Sequence, residues 1–171
     1  KRAAEATRRI LGEEHDLLAA TLIDQGMVMH AKGNLAGAEA VMREALQLDH
    51  DSRGESHPRV GFDLTVLGMV LHDAGKLEEA AKNLRRALSI FEDSLDANHQ
   101  YTASALTELG AVLNSGDQPE LALPHLERAM LIRARDYPPE HELMAATRSE
   151  YADTLARLGQ TAEAERMLLQ S

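Results

Sequence analysis

Four of the eight histidines in this 171-residue chain keep a fixed step: His15, His57, His99 and His141 are each 42 residues apart. Histidine is the commonest metal ligand and a general acid or base near neutral pH, so a regular set raises both possibilities. The spacing argues against them. One histidine per repeat lies a whole repeat from the next, too far to share an ion through bonds of about 2.0–2.1 Å. The expected role is structural, at the entry of a helix, where backbone N–H groups lack intrahelical acceptors. His57-Pro58 fits that role, because proline is favoured at the first helical position. His30 and His72 repeat the same step, each three residues after a methionine, Met27 and Met69. They too are a repeat apart, which excludes a shared metal and leaves them as candidates to line a groove.

No nucleophile elbow, phosphate loop or H-E-x-x-H motif occurs. Glu13-Glu14-His15-Asp16 and Glu78-Glu79 place carboxylates at helix starts, where they complement the helix dipole. They imply no convergent pocket for acid–base work. The absence of cysteine removes disulfides and thiolate metal sites. The expectation is a protein that is not an enzyme, with no catalytic residue, no cofactor and no metal.

The elements that carry these residues follow the same step. Ala38, Ala80, Ala122 and Ala164 keep it, as do Met42, Leu84, Leu126 and Leu168. Gly26, Gly68 and Gly110 keep it until Ala152 takes the fourth place. Several columns repeating together mark stacked units, each burying its apolar face against its neighbours. In the second unit Val60, Leu64, Leu67 and Leu71 share one helix face, and Leu77, Ala80, Ala81, Leu84, Ala87, Leu88 and Phe91 share another. Ala74-Gly75-Lys76 separates them, with Gly75 free to take positive φ. The spacing predicts helix A over about 58–74 and helix B over about 77–94. Gly68 and Ala80 are expected to meet where the two helices approach.

Leu64-x2-Leu67-Gly68-x2-Leu71 followed by Ala80-x3-Leu84-x2-Ala87 resembles a tetratricopeptide repeat. Leu106-x2-Leu109-Gly110-x2-Leu113 and Ala122-x3-Leu126-x2-Ala129 repeat it, and Leu22, Gly26, Met29, Ala38, Met42 and Ala45 carry it in the first unit. The extra length of the unit, the G-x-x-H step (Gly12 to His15, Gly54 to His57), His57-Pro58 and Pro124 resemble the longer kinesin-light-chain type. The resemblance implies an all-α, right-handed α-solenoid of tandem helix–turn–helix repeats, a single solenoid over 1–171. Units are expected at about 13–54, 55–96, 97–138 and 139–171, the last truncated. Residues 1–12 are expected to end an earlier helix B, since Ala3 shares the column of Ala45, Ala87 and Ala129. Starting at Lys1, inside a helix, the chain is expected to be a piece of a larger protein.

Two departures stand out. Asp117 replaces the glycine of Gly33, Gly75 and Gly159, so that turn is either shifted toward Gly116 or Asp117 itself is left-handed. Arg148 stands where Leu22, Leu64 and Leu106 stand, and weaker burial is expected at that end of the chain.

In this family helix A lines the concave face, where extended peptides or helices lie. The resemblance puts inward positions at Ile23, Met27, His30, Phe62, Thr65, Met69, His72, Thr107, Asn114, Asp153 and Arg157. Neither the Lys/Arg/Asn cluster that clamps a peptide carboxylate nor the paired asparagines of kinesin-light-chain units are present, which argues against an acidic peptide. The apolar N-terminal half (Ile23, Met27, Phe62, Met69) and the polar C-terminal half (Glu150, Asp153, Arg157) suit an apolar segment with a polar or basic end. The implied function is protein or peptide binding, inside a larger regulatory or scaffold protein. Self-association and sensing of a small peptide or metabolite are the alternatives.

Bulk composition agrees. Hydrophobic residues are 44% but aromatics 3%, so the core must be Leu, Ala, Met and Val packed between close helices. A net charge of −10 argues against nucleic acid and anionic lipid. No apolar run approaches the roughly 20 residues of a spanning helix. A cytoplasmic location is the default expectation.

Overall fold

The computed structural model describes the backbone of residues 2–169 and the side chains of residues 17–168. Every regular element among them is a helix: α1 (Arg2–Ala31), α2 (Leu35–Arg53), α3 (Pro58–Asp73), α4 (Leu77–Ser94), α5 (Gln100–Ser115), α6 (Pro119–Asp136), α7 (Glu142–Arg157) and α8 (Thr161–Leu169). They pack as antiparallel pairs, α1 with α2, α3 with α4, α5 with α6 and α7 with α8, and each pair stacks on the next. The odd-numbered helices also approach one another closely through their backbones, α3 with α5 and α5 with α7, whereas the even-numbered helices meet across the stack through long side chains, Arg43 on α2 with Glu79 on α4 and Arg128 on α6 with Glu92 on α4. A stack whose one layer is drawn together and whose other is splayed curves toward the first. The odd-numbered layer is therefore the concave side of an all-α solenoid.

The helix entries are built as the spacing predicts. The backbone N–H of Arg59 donates to His57 Nδ1 (3.1 Å), that of Tyr101 to His99 Nδ1 (3.1 Å) and that of Leu143 to His141 Nδ1 (3.2 Å). Each imidazole satisfies one donor that the first helical turn leaves over. The side chain of His15 lies outside the described residues. Its backbone does not enter a helix there, because α1 runs unbroken from Arg2 to Ala31 where the 42-residue register places a turn. The other entries are preceded by Ser-Arg-Gly-Glu-Ser, Asp-Ala-Asn and Pro-Pro-Glu. Here α1 continues through Gly12, the repeat equivalent of the Gly54 that ends α2, into Glu13 and Glu14, which are good helix formers.

The turns between paired helices use left-handed residues. Gly33, Gly75 and Gly159 have φ of 76°, 74° and 77°, and Asp117 takes the same place at φ 57°, with Gly116 at −86°. Of the two alternatives for this turn, Asp117 adopts the left-handed conformation itself. Within each pair, a side chain on the helix A glycine would first meet the larger residue of helix B. A Cβ on Gly68 would lie 2.8 Å from Leu84 Cγ, one on Gly26 2.9 Å from Met42, and one on Gly110 2.5 Å from Leu126. Helix B presses its larger side chain, one turn beyond the alanine, into the glycine notch. In the fourth pair Ala152 fills that notch, and Leu168 is 52% exposed.

The main core is a continuous strip from Ala19 to Ile132, and α7 and α8 hold a small separate cluster of Ala152, Leu155 and Ala164. What joins successive pairs differs at each junction, although the positions are equivalent. Between α2 and α3, Asp49 and Asp63 are both buried. Arg53 Nε donates to Asp49 (3.0 Å), and Arg59 Nε lies 3.2 Å from Asp49 and 3.4 Å from Asp63. Burial and the neighbouring Asp49 push the Asp63 carboxyl up to about 8 against the pull of the two arginines. One repeat on, Phe91 replaces Asp49 and is fully buried over Gly61. One further, Arg133 stands in that place, buried, and donates to Leu143 O, Thr147 Oγ1 and Ser104 Oγ. Burial is thinner at this end, as the charge at position 148 suggests, although Arg148 itself is only 5% exposed and donates to Pro139 O at 3.0 Å. Two buried guanidinium groups thus take part in holding the last pair in place.

Candidate partner groove

On the concave side α1, α3 and α5 enclose a cleft of about 220 Å³ lined by Met27, Phe62, Thr65, Val66, Met69, Phe91, Tyr101, Ser104 and Glu108. Its walls are mostly apolar. Phe62, Phe91 and Tyr101 meet as tilted pairs with centroids 5.6 and 5.7 Å apart. Both phenylalanines of the chain and one of its three tyrosines are therefore spent at one spot. Gly61 makes this possible, since a Cβ there would sit 2.6 Å from the Phe91 ring. Arg59 covers the Phe62 ring from outside at 5.0 Å and is itself held by Asp49 and Asp63. Met27, 39% exposed, and the half-buried Met69 leave flexible thioethers at the opening.

The inward positions expected from the sequence divide into three groups. Met27, Phe62, Thr65 and Met69 come together in this cleft. Ile23, Thr107 and Asn114 are buried, at 5, 6 and 3% exposure. Thr107 and Asn114 serve as ties between α5 and α7, through Thr107 to Thr147 (3.0 Å) and Asn114 Nδ2 to Thr154 Oγ1 (2.8 Å). The third group forms a ladder from each odd-numbered helix to the next. His30 Nε2 donates to Asp73 (2.5 Å), His72 is hydrogen-bonded to Ser115 (2.7 Å), and Arg157 donates to Asn114 O (3.2 Å) while pairing with Asp153 (2.6 Å). These rungs fix the spacing of the concave helices and leave His30 and His72 half-buried at its edge.

Tyr101, Phe91 and Glu108 line the cleft and are not among the expected positions. Tyr101 sits on the first turn of α5, a turn before Ser104, the repeat equivalent of Phe62. Phe91 reaches in from α4. A sequence signal existed in the pairing of Gly61 with the only other phenylalanine. Glu108 is half-buried. Burial first, then Glu150 and Asp73, push its carboxyl up to about 7, against Arg133 and His30. Glu150 is raised as well, by burial and by Asp153. Beyond the apolar cleft, the concave face is thus acidic. A larger recess of about 340 Å³ between α4 and the end of α5 is rimmed by Glu78, Arg85 and Gln118 and contains none of the inward positions.

No three His, Asp or Glu side chains converge as a metal site requires among the described residues. No described helix is long and apolar enough to cross a membrane.

The architecture has known counterparts. The nearly identical TPR-like repeats of a Podosopora anserina kinesin light chain candidate superpose with a TM-score of 0.68 at 22% identity, covering 89% of this chain and 72% of that one. A point-substituted form of the same repeats gives 0.71 with the same identity and coverage. BtubC (BKLC) from P. vanneervenii gives 0.78 at 21% identity, covering 99% of this chain and 70% of that one. At such identities the likeness is one of fold. No curated protein sequence matches the chain. The tetratricopeptide repeat model matches residues 25–93, 62–130 and 101–171, which together span most of the sequence, and the chain belongs to the tetratricopeptide repeat family.

Proposed function

We propose that this solenoid is a non-catalytic interaction module that captures an apolar segment of a partner protein in the cleft between α1, α3 and α5. Tetratricopeptide repeats are protein-interaction and scaffold modules, and that much follows from the family. The observation that carries the finer statement is the cleft itself, with Met27, Phe62, Met69 and Tyr101 around one apolar hollow on the concave side. Its volume of about 220 Å³ lies below the roughly 300–1,000 Å³ of small-molecule sites and suits a single anchoring side chain. That supports a protein segment over a metabolite. Methionine walls adapt to the shape of the anchor, and the rigid aromatic group gives it a floor.

The test is capture from the lysate of the native source by the chain and by its Met27→Glu/Met69→Glu form, read by mass spectrometry. Proteins retained by the first and lost by the second, with helicity unchanged by circular dichroism, support the cleft. Equal capture by both would move the site elsewhere on the solenoid. Light scattering over a concentration series separates partner capture from self-association.

A further inference from the structure

Of the nine side chains around the cleft, only Glu108 can carry a charge near neutral pH. The other polar groups there include Thr65 Oγ1, which donates to Gly61 O (2.9 Å), and Ser104 Oγ, which accepts from Arg133 (3.3 Å). Glu108 makes no hydrogen bond or ion pair among the described residues. The charged groups that face it come from four helices. Asp73 on α3 and Glu150 on α7 repel its ionised form; Arg133 on α6 and His30 on α1 favour it. Both favourable groups are engaged elsewhere, Arg133 by Leu143 O and Thr147 and His30 by Asp73. The apolar hollow therefore ends in a half-buried carboxylate to which no described protein group donates and which two other acids repel.

We propose that the segment bound in this cleft joins a bulky apolar side chain to a cationic group (a lysine, an arginine or a free N-terminal amine) that donates to the Glu108 carboxylate. This rests on the cleft being the partner site. Charge complementarity carries it: a cation supplies the missing donors and offsets Asp73 and Glu150 in a partly dry setting. An acidic segment would add a like charge to three. Arg59 offers no counter-attraction for it, because its guanidinium already faces Asp49 and Asp63. Burial and the two acids hold Glu108 up to about 7. Pairing requires the ionised form, so cation binding tightens from pH 6 to pH 8.

The probes are 2-phenylethylammonium, 2-phenylethanol and phenylacetate, which share a ring and differ in head charge. Each is titrated into the whole chain carrying labelled methionine methyls. The expected result at pH 8 is that the Met27 and Met69 methyls respond to the ammonium with an affinity at least about threefold above that for the alcohol, phenylacetate being weakest. Glu108→Gln brings ammonium and alcohol to the same affinity while the alcohol still shifts both methyls. In the unmodified chain the preference for ammonium shrinks at pH 6. Equal affinities in the unmodified chain, a preference that survives E108Q, or one that is constant with pH overturns the cationic partner and leaves the cleft standing. No response of either methyl to any probe overturns the cleft, and the proposal with it.

Discussion

A histidine whose Nδ1 accepts a backbone N–H is an unusual helix cap, and this chain uses it at the entries of α3, α5 and α7. The imidazole does what Ser, Asp or Asn does elsewhere, and adds ring contacts: His99 lies against Tyr101 at 4.8 Å and His141 stacks on Tyr137 at 4.1 Å. Replacing His99 by alanine removes the acceptor and should lower stability by roughly 0.5–2 kcal/mol in a thermal melt, whereas His99→Asn should recover most of that loss. A shared deficit in both variants would mean that ring packing, not the cap, is what matters. This role was legible from spacing at His57, His99 and His141, because a cap is a local device fixed by its distance from the helix it starts, whereas His15 keeps the same step inside an unbroken α1. Arg148 was not legible. Its partner is a loop carbonyl nine residues earlier, at Pro139, in a segment where the columns do not repeat, so nothing in the periodicity reveals that a charged side chain finds a buried acceptor. Glu108 escaped for a related reason. It stands next to Thr107 on α5, and only the curvature of the stack brings Asp73 and Glu150 close enough to set its charge.

Among the elements, helix pairs and turns were readable wherever glycine or an apolar column marked them. The Gly68 and Gly110 notches show where reading stopped: the glycine is evident in sequence, but which residue of helix B enters it depends on helix rotation, and it proved to be Leu84 and Leu126. The α5–α6 turn gives a direct test of the turn chemistry. Asp117 pays for a left-handed backbone that Gly33, Gly75 and Gly159 adopt freely. Asp117→Gly should therefore stabilise the chain by about 0.5–1 kcal/mol, seen as a small rise in melting temperature. An unchanged or lowered melting temperature would mean that the aspartate side chain compensates for its backbone. The continuous α1 is the opposite lesson. Its columns match the other units, Gly12 included, but periodicity does not say whether a chain bends, and here the helix runs on.

Across the whole molecule, equivalent junctions are sealed by different chemistry, so pH should act on the stack unevenly. The α2–α3 junction buries Asp63, whose carboxyl is raised from 3.8 to about 8. Between those two values the folded chain keeps a proton that the unfolded chain releases, so this group's contribution is full below about pH 4 and is lost as pH rises toward 8. Asp63→Asn keeps the shape and cannot ionise. Its melting temperature relative to the unmodified chain should therefore climb from pH 4 to pH 8; a gap independent of pH would show that Asp63 does not hold a proton in the fold.

The concave face of the solenoid is the one proposed to meet the partner. A diazirine-bearing residue placed at Met69 probes the concave cleft, and one at Leu131, 72% exposed on α6, probes the convex layer. After irradiation in the native lysate, the expected result is a covalent adduct from position 69 that Met27→Glu suppresses, and none of the same protein from position 131. The same adduct from position 131 alone would contradict it.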